Sequence, residues 1–268
     1  MLQDIIRKRR IMACYFYCLI AFRSIFTTDW KSAKEALDGL QLVLGDLGRD
    51  AERTLTLLFI HLSAMYLQGT GKLSEAAKLY KDERLALPHT NSPLSNPEDQ
   101  VQRDIAIVAA MNSLLIQTSN ENCDIAANTA LVDRLSQFCT THTNVDIQTA
   151  YFIVRTVIKT DPPTSQIATK TYMRSALGGA KKRGNFHLVC ITLNVMCVRF
   201  FSNIIGEQAF KSAMAAKEQS AKSGNKLWMS AATGSLAGTF EIEGKDEEAR
   251  RTRTEAVRLA NVALQGPA

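Results

Sequence analysis

Residues 236–256 read Leu-Ala-Gly-Thr-Phe-Glu-Ile-Glu-Gly-Lys-Asp-Glu-Glu-Ala-Arg-Arg-Thr-Arg-Thr-Glu-Ala. The spacing of Leu236, Ala237, Phe240, Gly244, Ala249 and Ala256 is that of two antiparallel helices packed closely across small side chains. Ala237 and Ala249 let the backbones approach, Phe240 fills the groove between them, and Gly244 ends the first helix. The pattern is the skeleton of a tetratricopeptide repeat.

A second unit appears as Leu62-Ser63, Tyr66, Gly71, Ala76 and Tyr80, with one residue inserted before the turn. Degenerate copies of a second helix recur at Ala168, Tyr172 and Ser175 and at Ala209, Ala213 and Ala216, and Asp29-Trp30 followed by Ala33 fits another. Apolar residues at i, i+3, i+4 and i+7 divide the chain into twelve helical stretches. These are 2–26, 29–47, 50–68, 73–87, 98–118, 122–140, 145–160, 164–183, 186–205, 206–222, 225–243 and 246–264. Helix pairs at regular intervals bury their apolar stripes against their neighbours. The fold expected is all-α, an α-solenoid of about six tetratricopeptide-like helix pairs. It forms a single helical-repeat domain over 1–268, with a surface loop at 88–97 where three prolines stand among Ser, Asn, Thr and His.

Composition agrees. Gly and Pro together make 20 of 268 residues, about 7%, against a usual ~12%, while Ala alone contributes 32. Sandwiches, barrels and Gly-rich nucleotide folds spend Gly and Pro on turns; a chain of long helices does not. With 46% hydrophobic and 22% charged residues the chain is too apolar for disorder. The excess of 32 Lys and Arg over 26 Asp and Glu reads as spread along the length, which permits an acidic partner or nucleic acid without requiring one.

Six cysteines sit in apolar segments without a C-x-x-C, so they read as reduced, buried thiols and favour the cytosol or nucleus. Arg7-Lys8-Arg9-Arg10 followed by the uncharged stretch 11–22 has the outline of a signal peptide. Its twelve apolar positions fall well short of the ~18–20 that span a bilayer, and Arg23 follows without a small-residue cleavage site. A buried helix with a solvated basic first turn fits better, and the run also suits nuclear import.

His61, His89, His142 and His187 lie in separate segments, none at metal-ligand spacing from a Cys, His or carboxylate. No phosphate-binding loop, nucleophile elbow or H-E-x-x-H occurs. Gly178-Gly179 before Lys181-Lys182-Arg183 reads as a helix end whose cations complement the dipole. No catalytic residue, cofactor site or metal site is therefore expected, and the chain does not read as an enzyme. The basic clusters at 7–10, 181–183 and 250–253 lack interleaved aromatics; as solvated faces they need no function, and two brought together would make weak, salt-sensitive contact with DNA phosphates.

The strings Cys14-Tyr15-Phe16-Tyr17-Cys18-Leu19, Asp29-Trp30-Lys31-Ser32-Ala33, Leu62-Ser63-Ala64-Met65-Tyr66, Ala150-Tyr151-Phe152-Ile153-Val154-Arg155 and Lys226-Leu227-Trp228-Met229-Ser230-Ala231 stand in this order. In this order they resemble the C-terminal half of a fungal-type Mau-family cohesin-loading factor, over about 14–259. The resemblance implies a nuclear superhelical repeat protein that wraps the extended N-terminal segment of a much larger HEAT-repeat subunit. That pair loads cohesin onto chromatin and supports sister-chromatid cohesion. It also implies further helix pairs upstream, making this chain a C-terminal portion of a longer superhelix, with a sticky face on its first helix.

Repeat geometry places Ile60, Ala64 and Leu67 in one pair, and Gly238, Glu241 and Ile242 in the last, on an inner surface suited to an extended partner peptide. Core packing explains the apolar ones equally well. The competing reading is a generic helical-repeat scaffold of another multiprotein assembly, which would share every packing feature and lack only the family strings.

Overall fold

The computed structural model describes residues 2–48, 52–88, 96–119, 123–201 and 207–265. Among these residues there are twelve α-helices and no strand. They group into two compact units, Met1–Asp124 and Ile125–Ala268.

In the first unit, α1 (Leu2–Phe26) packs along α2 (Trp30–Leu47), and α3 (Arg53–Gly69) packs on both. α4 (Leu73–Tyr80) and α5 (Pro97–Ser119) close over α3. Asp29 caps α2 by accepting from the Ser32 N–H at 3.1 Å, satisfying a donor that the first turn leaves orphaned. The core joins Leu57, Ile60 and Ala64 of α3 to Ala76 and Tyr80 of α4 and to Ile105, Ala109 and Ile116 of α5. α1 is not the buried helix that the sequence suggests. Cys14, Cys18, Ala21 and Ile25 face the core, while Met12, Phe16 and Leu19 on the opposite face are 72%, 63% and 68% exposed.

The second unit runs α6 (Ile125–Cys139), α7 (Val145–Val157), α8 (Gln166–Arg183), α9 (Phe186–Met196), α10 (Glu207–Ser223), α11 (Lys226–Ile242) and α12 (Asp246–Gln265). Each helix packs on the one before it, and α11 also reaches α9. Two of the joints use the same two residues. Gly184 and Gly224 take positive φ of 67° and 71°, where a Cβ would be strained. The following Asn185 and Asn225 then cap the next helix, accepting from Leu188 N–H at 3.1 Å and Trp228 N–H at 3.0 Å.

The alanine stripes lie where the spacing puts them: Ala209, Ala213 and Ala216 on α10, Ala237 on α11, and Ala249 and Ala256 on α12 are buried. Across the last pair, Ser230 donates to the Ala256 carbonyl at 2.7 Å; Phe240 turns instead toward α10, where its ring meets that of Phe210 at 5.7 Å. α8 departs from the expected register. Ser175 is exposed, and the close-packing positions are Ala176 and Ala180, because Tyr172 is drawn sideways to stack on Phe152 at 5.8 Å.

Three boundaries differ as well. The stretch 73–87 breaks after Tyr80 into a 3₁₀ turn at Glu83–Leu85. There the Asp82 carboxylate accepts from its neighbour Arg84, backbone and guanidinium alike, and competes with helical bonding. α7 ends at Val157 ahead of the Pro162-Pro163 pair, and α9 gives way at Cys197–Phe201 to a π turn. In the expected surface loop, Pro88 and Asn96 are non-helical and Pro97 opens α5, while 89–95 lies outside the described residues.

Two glycines on α-helices of the first unit make opposite predictions. A Cβ at Gly69 would collide with the buried Trp30 ring, whereas one at Gly45 meets nothing within 4 Å. Gly69→Ala is expected to cost about 1–3 kcal/mol by overpacking, and Gly45→Ala to stabilise by roughly 0.5–1 kcal/mol; urea unfolding of both variants checks the sign. Ala249, 3% exposed between α11 and α12, makes a third case: Ala249→Leu is expected to lose about 1–3 kcal/mol in the same assay.

Candidate functional site

The six residues expected on an inner surface are not equivalent. Ile60 and Ala64 are 6% and 0% exposed within the α3–α4–α5 core, and Leu67 is half-buried against the same cluster. Gly238 and Ile242 are half-buried and Glu241 is exposed. Gly238 and Glu241 also lie on different sides of α11.

On one side, Gly234, Ser235, Gly238 and Thr239 form the floor of a groove of about 290 Å³. Its walls are Cys197, Val198 and Phe201 of the π turn and Ala209 and Ala213 of α10. Small residues at i and i+4 on α11 leave the floor open, and no atom lies within 4 Å of a Cβ built at Gly234 or Gly238. The π turn adds one residue per turn to the end of α9 and so swings Val198 outward, 62% exposed. The apolar run 186–205 reads as one helix in sequence, so this wall was not legible; of the floor, the repeat spacing singled out Gly238 and passed over Gly234.

On the other side, Glu241 forms an ion pair with Arg253 beside Ala249, Arg250, Thr254 and Val257 in a shallower cleft between α11 and α12. An exposed pair of this kind contributes at most ~1 kcal/mol, and it sets charge more than stability.

The titratable groups buried in the helices are arranged for packing. Burial pushes the Cys18 thiol up to about 12 and that of Cys197 to about 11, so both are protonated at neutral pH. Burial lowers His61 to about 4 and His187 to about 4, keeping both rings neutral. His61 lies 6.0 Å from the Tyr80 ring, whose hydroxyl donates to Gln68 at 3.0 Å. No group of three His, Cys, Asp or Glu side chains suited to a metal occurs among the described residues.

The profile of the cohesin loading factor family matches residues 1–247. The chain belongs to the cohesin loading factor family. Its role is thereby in cohesin loading, with the cohesin loader and cohesin as its context. Comparison with curated proteins and with solved structures gives no significant match. No helix among the described residues is long and apolar enough to cross a membrane.

The depressed histidines have a pH consequence. In the unfolded chain each titrates near 6.5, and in the folded chain near 4. Below pH 6.5 the unfolded state therefore binds more protons, and stability is lost as pH falls toward 4. Denaturant midpoints measured between pH 7 and 4 should fall, and His61→Gln should flatten that fall by up to ~1.4 kcal/mol per pH unit.

Proposed function

We propose that this cohesin loading factor is a non-enzymatic adaptor in the nucleus. It holds an extended segment of a large HEAT-repeat loader subunit, and so supports sister-chromatid cohesion. Cohesin and chromatin are reached through that partner. The observation that carries the reading is the groove floored by Gly234 and Gly238. Its floor is backbone and small side chains and its walls include the apolar Val198 and Phe201, which suits a surface that accepts a side chain of an ordered peptide. Protonated thiols and neutral, core-bound histidines also suit a surface that binds without moving protons.

Ile60 and Ala64 serve in this reading by fixing the position of α3 within the first unit, and Leu67 is the residue of that trio with exposed surface. Asp at position 60 would place a charge inside the core and report on folding instead of binding. Gly238 has space for a side chain without disturbing the fold. Gly238→Leu fills the groove and is expected to weaken capture of the N-terminal segment of the large loader subunit at least tenfold in a pull-down, while circular dichroism stays unchanged. Undiminished capture by the folded variant rules the groove out as the peptide site.

A further inference from the structure

α8 carries Lys170, Arg174, Lys181, Lys182 and Arg183, with no Asp or Glu in its length. All five are exposed, and none has a carboxylate partner among the described residues. Some exposed cations of other helices pair with an acid one turn away, as in Asp4–Lys8 at 3.1 Å, Glu207–Lys211 at 2.7 Å and Glu247–Arg250 at 2.7 Å, whereas α8 holds no acid of its own to pair with. The net charge is also less evenly spread than composition suggests. Residues 145–201 hold eight Lys and Arg against two Asp, an excess of six that equals the +6 of the entire chain.

Local stability explains part of α8 and not the rest. Lys181, Lys182 and Arg183 stand in the last turn, where cations complement the free carbonyls. Lys170 and Arg174 lie more than two turns from that end, beyond the reach of the effect, and repel each other at i, i+4. Lys170, Arg174 and Lys181 share one face over about 16 Å. A face about 110° round the helix packs inward through Met173, Ala176 and Ala180. Gly178 sits in the middle of the exposed stripe with nothing within 4 Å of a Cβ, which leaves a flat approach to the backbone.

We propose that the exposed face of α8 binds the phosphate backbone of duplex DNA without regard to sequence. A partner helix would need apolar anchors at i, i+3, i+4 and i+7, and past Ile167 the stripe's one large apolar residue is Leu177, itself half-buried. Unpaired bases would need an exposed aromatic platform, and Tyr172 is already stacked on Phe152. A duplex backbone asks only for spaced cations whose contacts release counterions. The proposal is independent of the groove beside Gly238.

The test is fluorescence anisotropy of the full chain with a labelled mixed-sequence DNA duplex between 50 and 200 mM salt. K170Q/R174Q and K181Q/K182Q/R183Q remove the stripe in two parts. R251Q/R258Q, two exposed cations of α12, serves as the control. Wild-type affinity is expected to fall steeply with salt. Each lost phosphate contact flattens the log–log slope by roughly 0.9, so across the same salt range K170Q/R174Q should lose roughly tenfold less affinity than wild type does. All variants should keep wild-type circular dichroism and capture of the loader segment. The proposal is overturned if neither α8 variant changes the slope or if the α12 control changes it equally. Binding of polyglutamate in place of the duplex would assign the stripe to an acidic protein and overturn it too.

Discussion

Everything in this chain depends on how closely two helix backbones can approach. At Ala237 and Ala249, at Ala209, Ala213 and Ala216, and at Gly69 against Trp30, the contact is made by side chains of one carbon or none. Close approach brings dispersion contacts along whole helices in place of a thick apolar layer. It also leaves little tolerance, since a methyl group in the wrong place meets a ring that has nowhere to go. The large residues work as wedges at the edges of these contacts: Phe240 against Phe210, and Trp30 edge-on to Tyr66 at 6.2 Å.

That constraint is why so much of the fold can be read from the sequence. Small residues at fixed helical spacing, a glycine that stops one helix and an Asn or Asp that starts the next are local signals, and the structure uses them locally. The failures share a different cause. At α8 a Tyr172–Phe152 stack turns the helix and moves the buried position from Ser175 to Ala176. At the end of α9 the apolar pattern continues, but the hydrogen bonding widens into a π turn. Both depend on contacts from other elements, to which a 3.6-residue period is blind. The candidate groove inherits this division: Gly238 of its floor was picked out by the repeat spacing, and Gly234 and the π-turn wall were not.

Clefts and packing contacts share the same helices here. α11 presents one side to α10 and the π turn and the other to α12, and both sides carry clefts. Ile60 and Ala64 are buried in the core, whereas Gly238 is half-buried, although the same repeat logic selects all three. What separates them is whether a third helix covers the position. α5 closes over α3, and among the described residues no further helix covers the groove beside Gly238.

The Gly184-Asn185 and Gly224-Asn225 joints have a consequence for how such a chain can change over evolutionary time. Each joint holds one residue to stop a helix and one to start the next, with no slack between them. Inserting a single residue into the helix that follows would rotate everything beyond it by about 100° and carry the alanine stripe off its partner. Descent with modification in the second unit is thus channelled toward substitution on outward faces. An addition or deletion between the joints would carry that loss of packing, whereas a substitution on an outward face would leave the stripe in register.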